Sequence, residues 1–116
     1  MRNALLTVLC LIPVLSQAME YKVEFENDEV RVSKWMLTAG EEVGLHRDEY
    51  PHVVVASQGG TIRRFEADGS TTDVIFPTGV AVFQGTDPVD VLHRSINASD
   101  HPIEAVMVEF KPIISK

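Results

Sequence analysis

From residue 19 onward no stretch carries as many as about ten residues of helical periodicity; short apolar runs follow one another instead, each closed by a turn signal. Tyr21-Lys22-Val23-Glu24-Phe25 alternates and stops at Asn27-Asp28. Residues 30–32 lead into 35–37, which Ala39-Gly40-Glu41-Glu42 closes. Residues 52–56 form a continuous β-branched run up to Gly59-Gly60, and residues 61–65 run into Ala67-Asp68-Gly69-Ser70, a strong hairpin signal. Runs at 72–76, 79–83, 89–93 and 103–110 bring the expectation to about nine short strands, the pattern of an all-β sandwich or barrel. Val53, Val55, Val74, Phe76, Val82, Val91, Val106 and Val108 supply enough apolar bulk for one core. A chain of 116 residues has no room for two cores.

The first eighteen residues read differently. Met1-Arg2-Asn3 is positively charged, residues 4–15 are almost wholly apolar, and Ser16-Gln17-Ala18 places small residues at the −3 and −1 positions of a cut after Ala18. These are the three regions of a secretory signal peptide, and the apolar run is too short to cross a bilayer. Cys10 lies inside that run behind Leu9, which is not the setting of a lipoprotein cysteine. The expectation is therefore a leader over residues 1–18 and a single mature domain over 19–116, periplasmic or secreted, with no membrane attachment after cleavage. The mature domain would keep no cysteine, so neither a disulfide framework nor cysteine catalysis is open to it. With 17 acidic against 10 basic residues the chain would be repelled by nucleic acid and by anionic membrane surfaces.

Chemistry has to come from histidines and carboxylates. His46 and Asp48 are two apart, so on a strand they share a face. His52 begins the next apolar run behind Pro51, and His93 follows Val89-Asp90-Val91-Leu92. Three imidazoles and a carboxylate brought together would suit a divalent ion such as Fe, Mn, Zn, Ni or Cu. The same histidines could instead only hydrogen-bond inside the barrel. His101, between Asp100 and Pro102, reads as an exposed loop histidine. Arg63-Arg64 offers one arginine to each face of a strand; a solvated pair is the expected reading, and an inward arginine holding an anion is the other. Trp35 and Tyr50 are pocket-lining or core aromatics. Asn97-Ala98-Ser99 is a glycosylation sequon. No glycine loop precedes a helix to cradle phosphate, and no serine sits in a nucleophile-elbow context.

These positions resemble the two motifs of the cupin superfamily. Gly40, His46, Asp48, His52 and Gly59 fall in register with Gly-x5-His-x-His-x3-4-Glu-x6-Gly, with Asp in place of the second His and His in place of the Glu. Pro77-Thr78-Gly79 and His93-Arg94-Ser95-Ile96-Asn97 are similar to the two ends of the second motif, with a longer stretch between them. The string from His46 to Val55 and the closing Val108-Glu109-Phe110-Lys111 also resemble small single-domain cupins. The resemblance implies a cupin-like jelly roll with a metal held by His46, Asp48, His52 and His93, a small-molecule ligand in the barrel, and a homodimer. It leaves two functions open. One is a binding module without catalysis; the other is a metal-dependent isomerase, lyase or dioxygenase in which Asp48 or Glu49 moves a proton.

Overall fold

The computed structural model describes residues 19–113, and the leader expected at residues 1–18 lies outside the described residues. Nine strands form two antiparallel sheets. The larger runs β1 (Glu20–Glu26), β2 (Val30–Leu37), β9 (Ile103–Phe110), β4 (His52–Gln58), β7 (Ala81–Gln84) in spatial order. The smaller runs β3 (Glu42–His46), β8 (His93–Asn97), β5 (Gly60–Phe65), β6 (Thr71–Phe76). Successive strands mostly alternate between the sheets, which is jelly-roll topology, as expected for a cupin-like chain. The C-terminal strand β9 sits in the middle of the larger sheet, between β2 and β4.

The core lies between the two sheets and is built from Leu37, Val54, Ala56, Ile62, Phe76, Ile103 and Ala105. Trp35, Val43, Val74, Val82 and Met107 pack against it, and Trp35 meets Phe76 edge-to-face at 6.4 Å. This corrects part of the sequence reading. Phe76, Val74 and Val82 do face the core, but on β4 and β9 the inward parity belongs to Val54 and Ala56 and to Ile103, Ala105 and Met107. Val53, Val55, Val106 and Val108 sit on the outward face. A continuous apolar run carries no parity of its own, so pattern alone could not choose.

A second correction concerns residues 89–93. Val89 and Asp90 form a turn closed by Val91 N–H donating to Pro88 O at 3.3 Å, with Asp90 at φ 69°. His93 therefore begins a strand instead of ending one.

The corner between β4 and β5 is a single residue, Gly59. A Cβ there would stand 1.9 Å from the carbonyl oxygen of Phe76, so only glycine lets the chain pass from one sheet to the other. Asn97 closes the same end of the sandwich. It is 1% exposed, and its Nδ2 donates to Leu37 O, Thr38 O and His101 O while its Oδ1 accepts from Ser99 N. The sequon's amide is thus fully engaged inside the fold.

Candidate metal centre

Two histidines meet because β3 and β8 pair. His46 lies opposite His93, past a register shift after Val43, and their ring centroids are 4.3 Å apart. Asp48 follows β3 by two residues and reaches back, its Oδ1 3.8 Å from His46 Nε2. One ligand atom from each of His46, Asp48 and His93 lies within 4.8 Å of the other two.

Each imidazole is set up to offer one nitrogen. His46 Nδ1–H donates to Gly44 O at 2.7 Å, leaving Nε2 free. His93 is 2% exposed, and its Nδ1 lies 3.2 Å from Asp87 Oδ2 and 3.1 Å from an Arg64 nitrogen. A guanidinium only donates and a carboxylate only accepts, so Nδ1 satisfies one of the two at a time. Donation to Asp87 leaves Nε2 unprotonated and able to ligate, the carboxylate–histidine arrangement that orients metal ligands. Burial, then Arg64 and His46, hold His93 below the ordinary imidazole pKa against the opposing pull of Asp48 and Asp87. A neutral ring is the ligating form.

Loops carry the acids. Asp48 N–H donates to Asp87 Oδ2 at 2.7 Å and Asp87 N–H to Asp48 O at 2.9 Å, which ties the β3–β4 loop to the β7–β8 loop. Burial pushes the Asp87 carboxyl up, but the Asp48 amide and Arg64 more than offset this and hold it below the usual carboxylate range. Arg64 binds Asp87 at 3.0 Å and Glu66 at 3.2 Å, and stands 3.6 Å from Asp48. Three carboxylates thus face one guanidinium, an excess of negative charge suited to a cation.

The site opens on a cavity of about 180 Å³ between the sheets, whose apolar wall includes Trp35, Val54, Ile62, Phe76 and Met107. The expectation of a solvated arginine pair is half right. Arg63 points outward to Asp73, while Arg64 turns inward, on the same face as Ile62.

His52 lies elsewhere. It lines the cavity and is 4% exposed, but its Nδ1–H donates to Tyr50 O at 2.9 Å and its Nε2 is engaged by the Gln84 amide at 3.0 Å. It belongs to a polar row across the larger sheet, Arg31–Glu109–His52–Gln84, in which Arg31 grips Glu109 through two bonds of 2.8 and 3.0 Å. Glu49 is exposed and outside the cavity wall, and Tyr50 stacks under Arg31 at 5.6 Å. His101 is the loop histidine expected. Its bonds to Asp100 and Gly59 O raise its pKa, and they tie the β8–β9 loop to the β4–β5 corner. Asp87, Glu66 and Gln84 went unnoticed in the sequence; Ile62 two residues before Arg64 was the one usable signal for the inward arginine.

No family model matches the chain. The β-alanine degradation protein BauB of Pseudomonas aeruginosa is 34% identical over 89 residues, which cover 77% of this chain and 90% of that protein. A cupin domain from Bordetella pertussis superposes with a TM-score of 0.70 at 27% identity, over 82% of this chain and 95% of that one. A cupin superfamily protein from Desulfitobacterium hafniense shares the fold at a TM-score of 0.57 and 12% identity, over 81% and 78% of the two chains.

Proposed function

The chain belongs to the cupin superfamily, and from that premise we propose that it holds a divalent metal ion through His46, Asp48 and His93 and binds a small organic molecule in the adjoining cavity. The observation that carries this is the convergence of two imidazoles and one carboxylate within 4.8 Å. The residues fit such an ion. Both rings have a nitrogen without a protein partner, the surrounding charge is negative, and three protein ligands leave coordination positions for another molecule. Iron, manganese, zinc, nickel and copper all accept this donor set. A bound ion would supply Lewis acidity, polarising a ligand oxygen. The protein's own part is to fix the rings through Gly44 O and Asp87, to hold Asp48 beside Arg64, and to exclude water with the apolar wall. His52 is a supporting residue in this reading, since both its nitrogens are engaged.

The cavity opening directly on the triad favours a second reading, a metal-dependent isomerase, lyase or dioxygenase acting on a small organic molecule. The name of the Pseudomonas relative places that protein in β-alanine degradation, and this supports a small metabolite as the class of ligand. Export through a leader ending at Ala18 is part of the same proposal and is tested by the N-terminal residue of secreted protein.

The test of the metal centre is elemental analysis of untagged protein beside His46→Ala, His93→Ala and His52→Ala. Near-stoichiometric metal in the parent, lost in the first two variants and kept in the third, is the expected result. An empty, folded parent that takes up none of the five metals would overturn the reading. Turnover of candidate metabolites by the loaded protein then separates enzyme from binding module.

A further inference from the structure

Ser95 carries a buried hydroxyl that the fold does not use. It stands on β8 between His93 and Asn97 and shares their inward face, as alternate residues of a strand do. It is 6% exposed and lines the cavity beside the triad. Its two neighbours on that face are held by the protein: the His93 ring by Asp87 or Arg64, and the Asn97 amide by four backbone groups. Among the described residues the Ser95 side chain makes no hydrogen bond. Buried polar groups are nearly always paired, so an exception on a cavity wall calls for a partner that the chain does not supply. Ser33 Oγ is buried without a partner as well, but it stands off the cavity wall.

We propose that the Ser95 hydroxyl binds the ligand, and that the ligand is a short-chain hydroxy or oxo acid. The inference rests on the metal reading above and names the class of molecule that occupies the same cavity. Charge decides which end goes where. An ion beside Asp48 draws an anionic oxygen, so the carboxylate belongs at the triad. Arg64 is the cross-strand partner of Ser95, but its guanidinium is already faced by Asp87, Glu66 and Asp48 and needs no further anion. Ser95 itself is neutral and both donates and accepts, which suits an alcohol or carbonyl oxygen. It lies two residues past His93, about 7 Å further along the strand. The uncharged oxygen therefore sits on the β or γ carbon and not beside the carboxylate. The carbons between the two ends lie against the apolar wall that includes Val54, Ile62 and Phe76. The cavity, about 180 Å³, is well below the roughly 300–1,000 Å³ of drug-sized sites, which keeps the skeleton to a few carbons.

Isothermal titration of zinc-loaded protein with butyrate and with α-, β- and γ-hydroxybutyrate tests this, zinc content being measured in each sample. The β- or γ-hydroxy acid is expected to bind about tenfold better than butyrate, the worth of one good hydrogen bond. Ser95→Ala brings it down to the level of butyrate and leaves butyrate affinity and zinc content unchanged. Ser33→Ala, off the cavity wall, keeps the preference. Equal binding of all four acids by the parent overturns the proposal, as does a preference that survives in Ser95→Ala or is lost in Ser33→Ala. Urea unfolding without ligand is the second measurement and needs no metal. Ser95→Ala is expected to be as stable as the parent or more so, since it removes a buried hydroxyl with no protein partner. A marked loss of stability places that hydroxyl in a bond within the fold and also overturns the proposal. A parent that takes up no zinc is a failure of the metal reading, and the same contrast between parent and variant in metal-free protein then decides the role of Ser95.

Discussion

His46 and His93 stand opposite each other across the β3–β8 pair with their ring centroids 4.3 Å apart, and Asp48 offers a carboxylate oxygen within 4.8 Å of a nitrogen of each. Two imidazoles this close cannot both be charged at low cost. Burial and the Arg64 charge lower the His93 pKa, and the nearness of His46 adds to them.

The sign of the pH dependence follows from His93. Its folded pKa lies below the ordinary value of 6.5, chiefly through burial. The unfolded chain thus binds the proton more readily. The contribution of His93 to stability is whole above about pH 6.5 and declines as the pH falls from there toward the lower folded value. Urea unfolding of metal-free protein between pH 7.5 and 5 is expected to show this decline (pH range about that of imidazole titration). His93→Gln flattens that part of the profile. Metal affinity falls over the same range, because the proton and the ion compete for one lone pair.

His101 gives the opposite slope. Its bond to Asp100, with that to Gly59 O, raises its pKa above 6.5. The stabilisation it gives is complete below about 6.5 and is lost as the pH rises through the folded value. Hydrogen exchange at the β4–β5 corner should therefore quicken from pH 6.5 upward in the parent and be indifferent to pH in His101→Gln, after correction for intrinsic exchange. An identical profile in both proteins would count against the latch.

Asp87 lies outside the triad and yet stands against one of its rings, 3.2 Å from His93 Nδ1. Asp87→Asn removes the charged acceptor for His93 Nδ1–H and weakens the hold on Arg64, which then competes for the same nitrogen. A loss of about 10–100-fold in metal affinity is expected, the usual cost of removing an orienting carboxylate. Isothermal titration with zinc measures it, and an unchanged affinity would remove Asp87 from the site's machinery.

Gly59→Ala tests the corner. Its new Cβ would overlap the backbone oxygen of Phe76, which no rotamer change relieves. Denaturant unfolding should show a loss of about 3 kcal/mol or more, in the range reserved for severe packing errors.

Much of the site was legible because motif spacing brings the residues it names to one place. His46, Asp48 and His93 were found that way, and so was the buried Asn97. His52 carries the right spacing too, but the Tyr50 carbonyl and Gln84 claim its ring, and both are contacts across space that no local pattern records. Asp87 enters from a loop between Gly85 and Pro88, where periodicity has nothing to say. The fold class came from the recurrence of short runs. The parity of β4 did not, because Val53-Val54-Val55 reads the same from either side. Val89 to Leu92 misled for a related reason: an apolar run of that length fits a strand or a turn, and Asp90 in the left-handed region decided for the turn.

The last strand among the described residues, β9, is the middle of the larger sheet. Until residues 103–110 exist, β1 and β2 can form a hairpin, and β4 can pair with β7, but nothing joins the two pairs. The order of synthesis and the order of assembly are therefore at odds, and half-made chains expose unpaired edges on both fragments. Folding of such non-local topology is expected on a millisecond-to-second scale, once residues 103–110 have been made. Truncating β9 would cost the molecule a sheet and not merely a strand.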